Sequence, residues 1–276
     1  MPPASEKDVK MFELQDPCVS SAANPDGALM TLRPIGAHTP EEIAVEAPVA
    51  LTVNGISQAV MLATPQDLED FALGFALAEG WIARAGELLD VELIAQPNGI
   101  ELALQVQAAR EQGLKARRRH LAGRTGCGLC GLDSLAQLDA VQPAPVQPPA
   151  LAEGALARAF AAFAEAQPLN ARCGGLHAAA WCRPDGTLVL AREDVGRHNA
   201  LDKLTGAMAR AHQDPRDGFV LMSSRASHEL VHKAAMAGVG LLACMSAPSS
   251  LAVASATRFG LQLWAFVRGS RATRYA

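Results

Sequence analysis

Along the 276-residue chain the spacing of apolar positions changes several times, and each change marks an element. Residues 1–44 carry scattered Pro, Gly and Ser without a sustained period, which predicts an irregular arm with one short strand near Met30–Arg33. Ala47–Val53 and Ser57–Leu62 are strand-like apolar runs separated by Asn54-Gly55, a pair suited to the positive φ of a hairpin turn. Thr64-Pro65 then reads as an N-cap and first helical residue, followed by Leu68, Phe71, Ala72, Phe75, Ala78 and Ile82 on one helical face. Leu89–Ala95 and Ile100–Val106, joined through Pro97-Asn98-Gly99, predict a second strand pair. Residues 45–108 therefore read as a small α+β domain.

Residues 109–150 form a basic loop and a connector, the latter drawn out by the prolines of 141–150. Beyond it, residues 151–276 alternate between the two periods. A helix is expected over Leu151–Ala166, then strands at 177–182, 187–192, 218–223, 240–245 and 261–267, with helices at 198–212, 227–238 and 248–259. Pro248 is expected in the first turn of the last helix and Gly260 just past its end. Alternation of this kind predicts an α/β domain.

Half of the residues are apolar, enough for a buried core, and the formal net charge is only −4, so nothing global points to nucleic acid. The N-terminus lacks a basic start and an apolar stretch, and runs such as Val239–Met245 are far short of the roughly 20 residues a membrane span needs. A cytoplasmic protein with no membrane segment is expected. Six cysteines spread over this length do not make a disulfide framework, and Cys18, Cys173, Cys182 and Cys244 are isolated and assigned no chemistry.

Two cysteines differ. Gly126-Cys127-Gly128-Leu129-Cys130-Gly131 is a C-x-x-C flanked by glycines that leave the backbone open to a large partner. It follows a basic run of Arg110, Lys115, Arg117, Arg118, Arg119 and Arg124 against Glu111, and nearby cations favour the thiolate, the form a sulfur nucleophile needs. The competing readings are half of a zinc site, for which no second ligand pair follows, and a thioredoxin-like redox pair, which belongs at a strand-to-helix turn.

His228-Glu229-Leu230-Val231-His232 matches H-E-x-x-H, which on a helix presents two imidazoles for zinc with a glutamate as base. No later His, Asp or Glu offers a third ligand, so a zinc hydrolase is the weaker reading and an ordinary helix capped by Ser227 the plainer one. A denser cluster of polar groups lies at Arg192–Lys203, where a strand gives way to a helix; Asp194, Arg197, His198 and Asn199 there are candidate ligand residues. Three further polar turns follow strands: Ser223–Ser227 with Ser224 and Arg225, Ser246–Ser250, and Phe266-Val267-Arg268-Gly269-Ser270-Arg271. Strand ends of an open α/β sheet are where ligands sit, and two arginines around a glycine suit a phosphate or pyrophosphate. An anionic, nucleotide-bearing ligand is implied.

The motifs E-D-V-G-R-H-N-A-L-D-K at 193–203, S-S-R-A-S at 223–227, M-A-G-V-G at 236–240, S-A-P-S-S-L-A-V at 246–253 and F-V-R-G-S-R at 266–271 resemble the formate dehydrogenase accessory sulfurtransferases (FdhD/NarQ family). Val53-Asn54-Gly55, Thr64-Pro65, Leu73-Gly74-Phe75 and Glu79-Gly80 extend the resemblance back to about residue 45. The departure is at His228 and His232, where the family carries an aromatic and a glutamine. The resemblance implies a cytidine deaminase-like α/β C-terminal domain without that fold's zinc, since no H-x-E with a later P-C-x-x-C is present. It implies that Cys127 and Cys130 accept persulfide sulfur from a cysteine desulfurase. It implies delivery to Mo-bis(molybdopterin guanine dinucleotide), bound through Phe266 to Arg271, for use by formate dehydrogenase. A guanine nucleotide should mimic that ligand, a homodimer is expected, and no structural metal is. A cofactor-binding chaperone without catalysis is the nearest alternative.

Overall fold

The computed structural model describes residues 25–32, 39–110 and 142–276. A two-stranded ribbon, β1 (Leu29–Leu32) and β2 (Glu41–Ala44), precedes two larger sheets. β2 falls where an irregular arm was expected. Its E-E-I-A sequence has no apolar run, and it is fixed by pairing with β1 and by an ion pair from Glu42 to Arg172.

The first sheet has the order β4-β3-β6-β5, from β3 (Ala47–Val53), β4 (Ile56–Ala63), β5 (Leu88–Gln96) and β6 (Gly99–Val106). The β3–β4 hairpin turns on Asn54 (φ 47°) and Gly55 (φ 77°), as the Asn-Gly pair predicts. Helix α1 (Leu68–Ala78) packs Phe71 and Phe75 onto this sheet, with Phe75 edge-on to Trp81 at 5.1 Å. Truncating a fully buried aromatic such as Phe71 to Ala should cost about 3–5 kcal/mol.

The expected cap of α1 is corrected. Asp67, with φ 52° and no side-chain cap bond, precedes the helix. Thr64 instead reaches the other half of the molecule: its N–H donates to Asp194 Oδ2 (3.0 Å), its hydroxyl accepts from the Val195 N–H (3.2 Å), and its carbonyl accepts from Lys203 Nζ (2.9 Å). Tertiary bonds here override the local capping preference.

The second sheet has the order β12-β11-β10-β9-β7-β8, from β7 (His177–Cys182), β8 (Leu188–Asp194), β9 (Phe219–Met222), β10 (Leu241–Cys244), β11 (Gln262–Arg268) and β12 (Arg271–Arg274). β7 runs antiparallel to both its neighbours, so β8, β9, β10 and β11 all point the same way. Every residue of β9 and β10 is buried, because both sheet faces are covered. Val220, Met222, Leu242 and Cys244 face α4 (Arg197–Arg210), α5 (His228–Met236) and α6 (Ser250–Phe259). Phe219, Leu221, Leu241 and Ala243 face α2 (Ala155–Phe163).

Three boundaries differ from expectation. A short helix α3 (Pro168–Cys173) follows α2, α6 starts after its Ser249 cap so that Pro248 lies ahead of the first turn where it was expected, and β12 adds an antiparallel edge strand after the Gly269-Ser270 turn.

The two sheets are joined through α1 and α4, which cross at reciprocal glycines. A Cβ at Gly74 would overlap the Asp202 carbonyl oxygen, and one at Gly206 would overlap that of Asp70. Asp70 also binds Arg192 (2.7 Å) and Arg210 (2.9 Å) from the second half, while Lys233 binds Glu79 (3.1 Å) and Asp202 (2.9 Å). Among the described residues no helix is long and apolar enough to cross a membrane.

Candidate functional site

Because β8 to β11 are parallel, the turns that follow them lie along one edge of the sheet. Hydrogen bonds tie these turns side by side. His198 Nε2, at the start of α4, lies 3.3 Å from Ser227 Oγ. The Ala226 N–H donates to the Ala247 carbonyl (3.1 Å), and the Ser249 N–H returns a bond to the Ala226 carbonyl (3.0 Å). The Phe266 N–H donates to the Ser246 carbonyl (3.3 Å). Ser227 and Ser249 cap α5 and α6 by accepting from the Leu230 and Ala252 N–H groups, so two helix starts also point to this edge.

The edge is cationic. Arg197 is half-buried, and Arg225, Arg268 and Arg271 are exposed. Among the described residues none of the four pairs with a carboxylate, and Arg268 donates only to the Met245 carbonyl at 3.4 Å. By contrast Arg110, Arg172, Arg192, Arg210 and Arg216 are each held by an acid. Guanidinium groups that meet no carboxylate among the described residues, set beside helix starts, make an edge suited to phosphate groups, the arginine crevice.

The other expected site residues take distinct places. Asp194 and Asn199, expected among the ligand residues, turn inward. Asp194 accepts from Gly196 N, Asn199 Nδ2, Thr64 N and Lys203 Nζ, which fills both oxygens, and Asn199 donates its amide to the Leu62 carbonyl. Val267 is fully buried in the core beneath α2, and Ser224 is buried with its hydroxyl on the Arg225 carbonyl. Phe266, Arg268, Ser270 and Arg271 keep solvent-facing surface. Gly269, at φ 57°, takes the left-handed conformation of the β11–β12 turn, and a Cβ there would meet open space.

Two features of the edge were not legible in the sequence. Phe266 has φ 52° where the β11–β12 register shifts, a strained conformation that holds its ring 40% exposed and 6.4 Å from the Tyr275 ring. Backbone strain of about 1–3 kcal/mol at such a bulge is the kind kept at functional sites. The second is Glu229, whose Oε2 lies 3.1 Å from His198 Nε2. Burial pushes the Glu229 carboxyl up to about 7, and burial followed by the charges of Arg197 and Lys233 pulls the His198 imidazole down to about 3. His177, which opens β7 at the same edge, is also lowered by burial and by Arg197.

The two imidazoles of H-E-x-x-H are neighbours, with ring centroids 6.0 Å apart, but Glu229 meets a different partner. His228 Nδ1 lies 2.7 Å from Ser255 Oγ on α6, and the His232 ring lies edge-on to Phe259 at 6.0 Å, whereas Glu229 faces His198 on α4. Among the described residues no group of three His, Cys, Asp or Glu is arranged to hold a metal ion. Buried Cys182 and Cys244 have thiols pushed up to about 12 by desolvation, the unreactive state for sulfur.

Cys127 and Cys130, with the cations from Lys115 to Arg124, lie outside the described residues. The two points between which they are strung do not. Arg110 is fixed by a two-pronged contact with Glu87 (2.8 Å each), whose carboxyl is drawn down to about 2 by that contact, and the connector is pinned where the Val146 N–H donates to the Phe259 carbonyl. Arg110 and Gln142 line one cavity of about 860 Å³ with Leu77, Ile82, Val146 and Gly238. Its lining includes Pro215 and Arg216 ahead of β9 and Gly238 ahead of β10, the edge opposite the arginine turns.

Comparison with known proteins adds an independent line. Residues 44–276 match the model of the FdhD/NarQ family. The chain is 54% identical over 227 residues to a protein of Variovorax paradoxus (strain S110) named sulfur carrier protein FdhD, covering 82% of each chain. It is 45% identical over 269 residues to the protein of the same name from Bordetella petrii, covering 96% of this chain and 97% of that one. A crystal structure described as a formate dehydrogenase accessory protein from Desulfotalea psychrophila superposes with a TM-score of 0.70 at 24% identity, over 90% of this chain and 96% of that one.

Proposed function

The chain belongs to the FdhD/NarQ family, and from that premise we propose that it is a sulfur carrier in the maturation of formate dehydrogenase. In this reading the Cys127 thiolate attacks the outer sulfur of a cysteine desulfurase persulfide. The S–S bond breaks, the desulfurase keeps a thiolate, and Cys127 holds the transferred sulfur as its own persulfide. Cys130, three residues on, is placed to share or release it. The cations before Cys127 favour the attacking thiolate, while Arg110, already paired with Glu87, secures the root of the segment.

The cargo site is the arginine crevice. Phe266, Arg268, Ser270 and Arg271, with Arg197, His198 and Arg225 beside them, suit the pyrophosphate and base of Mo-bis(molybdopterin guanine dinucleotide) as substrate. The observation that carries this reading is the convergence on one sheet edge of four strand-end turns and four arginines that meet no carboxylate among the described residues.

Two guanine dinucleotide arms suit a homodimer, and a reducing cytoplasm suits a carrier whose thiols must stay free. The strand order, with β7 antiparallel among parallel neighbours, supports the finer description of the second sheet as cytidine deaminase-like. The test is loading with a cysteine desulfurase and cysteine, followed by mass measurement and peptide mapping. A gain of one sulfur atom on Cys127, and its loss with formate dehydrogenase maturation in Cys127→Ala, is the expected result. Full maturation by Cys127→Ala overturns the proposal.

A further inference from the structure

His198 and Glu229 meet at the crevice from different helices, Nε2 to Oε2 at 3.1 Å, with side chains only 17% and 10% exposed. Among the described residues Glu229 Oε1 is buried without a hydrogen-bond partner and His198 Nδ1 has none. Ser227 Oγ, 3.3 Å from Nε2, both donates and accepts, so it does not fix the imidazole tautomer. Glu229 does. A carboxylate at Oε2 only accepts, which places the ring proton on Nε2 and leaves Nδ1 a bare acceptor. A carboxylic acid there donates to Nε2, which moves the ring proton to Nδ1 and makes that nitrogen a donor.

We infer that Glu229 is a positioning residue that sets the tautomer of His198, switching Nδ1 between acceptor and donor, so that the crevice holds an anionic ligand more tightly when Glu229 carries a proton. His198 occupies the second position of α4, where a ring N–H adds to the helix start's preference for anions.

The charged surroundings put this change in the neutral range. Around Glu229, Lys233 on its own helix and Arg197 on α4 favour the carboxylate, while Asp202 on α4 and Glu79 at the end of α1 oppose it; burial dominates and raises the group to about 7. Around His198, burial, Arg197, Lys233 and His177 on β7 all oppose the imidazolium. The neighbouring His228 and His232 face Ser255 and Phe259 on α6 instead. Between pH 6 and pH 8 the imidazole therefore stays neutral, and only the nitrogen that bears the proton changes.

The ligand in this inference rests on the nucleotide-cargo reading, whereas the switch itself does not. The experiment follows the ring ¹⁵N shifts of His198 from pH 5.5 to pH 8.5 in wild type and Glu229→Gln, alongside titration with diguanosine pyrophosphate, whose own charge is constant over that range. Wild type should exchange the protonated-type shift from Nδ1 to Nε2 as pH rises, and bind the probe about tenfold more tightly at pH 6 than at pH 8. Glu229→Gln should lose both dependences. A wild-type ring with the same tautomer at both ends of the range, or a variant that keeps the wild-type pH dependence, overturns the inference. An exchange of tautomer with no probe binding at either pH supports the switch and counts against the nucleotide cargo.

Discussion

Replacing Lys203 with methionine isolates what the buried charges contribute. Lys203 and Asp194 are both fully buried, with Nζ 2.7 Å from Oδ2, and Lys203 also donates to the Thr64 and Glu193 carbonyls at 2.9 and 3.4 Å. Methionine fills most of the space but removes the cation, leaving the Asp194 charge with three N–H donors and two carbonyls short of a partner. Removing one member of a buried pair costs about 3–5 kcal/mol, a large part of the roughly 5–15 kcal/mol that holds a domain folded. For a chain of this size that lowers Tm by about 10 °C. The comparison is Arg216→Ala, which breaks an ion pair of nearly the same length, 2.6 Å to Asp214, but on the surface, where no resolvable change is expected. Urea unfolding followed by circular dichroism gives both values. A Lys203→Met loss under about 1 kcal/mol would refute the argument that burial, rather than distance, decides what an ion pair contributes.

Two further outcomes are expected. Arg268→Ala and Arg271→Ala should each weaken guanine nucleotide binding by about one to two decades at low salt, with lysine rescuing part, and the wild-type affinity should fall more steeply with salt than that of either variant; calorimetry at two ionic strengths checks this, and unchanged affinity in both would move the anion site elsewhere. For stability, Glu229 is raised from 4.5 to about 7 in the folded chain, so it favours folding fully below about pH 4.5 and that contribution is lost as pH rises through 7. Glu229→Gln should thus match wild type near pH 4.5 and exceed it by about 3 kcal/mol at pH 8, read from denaturant midpoints, and equal stabilities at pH 8 would contradict the raised value.

The sequence was most informative where one local signal matched the tertiary environment. Asn54-Gly55 set a hairpin, and the unbroken apolar runs of β9 and β10 marked strands buried on both faces. It was silent where pairing alone makes the element: β2 and β12 are polar edge strands with burial patterns that carry no alternating apolar face. Thr64 misled because its capping chemistry is used on residues about 130 positions away. In the site, the strand-end turns and their arginines were legible from order along the chain. Glu229 was not, since the H-E-x-x-H pattern groups it with His228 and His232 while the fold pairs it with His198 on another helix. The inward turn of Asp194 likewise needed three dimensions, because an acidic residue at a helix start reads the same whether it faces ligand or core.

The reciprocal glycines of α1 and α4 bear on how such a chain can vary. With Gly74 against the Asp202 carbonyl and Gly206 against that of Asp70, each helix is the mould for the other, and neither surface tolerates a methyl group without prying the pair apart. The two halves are therefore not interchangeable cassettes. A hybrid that takes one sheet and its helix from a relative inherits the contact only if the groove on the other side was cut to the same depth. The same fit confines tolerated change to positions away from the crossing, such as the exposed arginines of the strand-end turns.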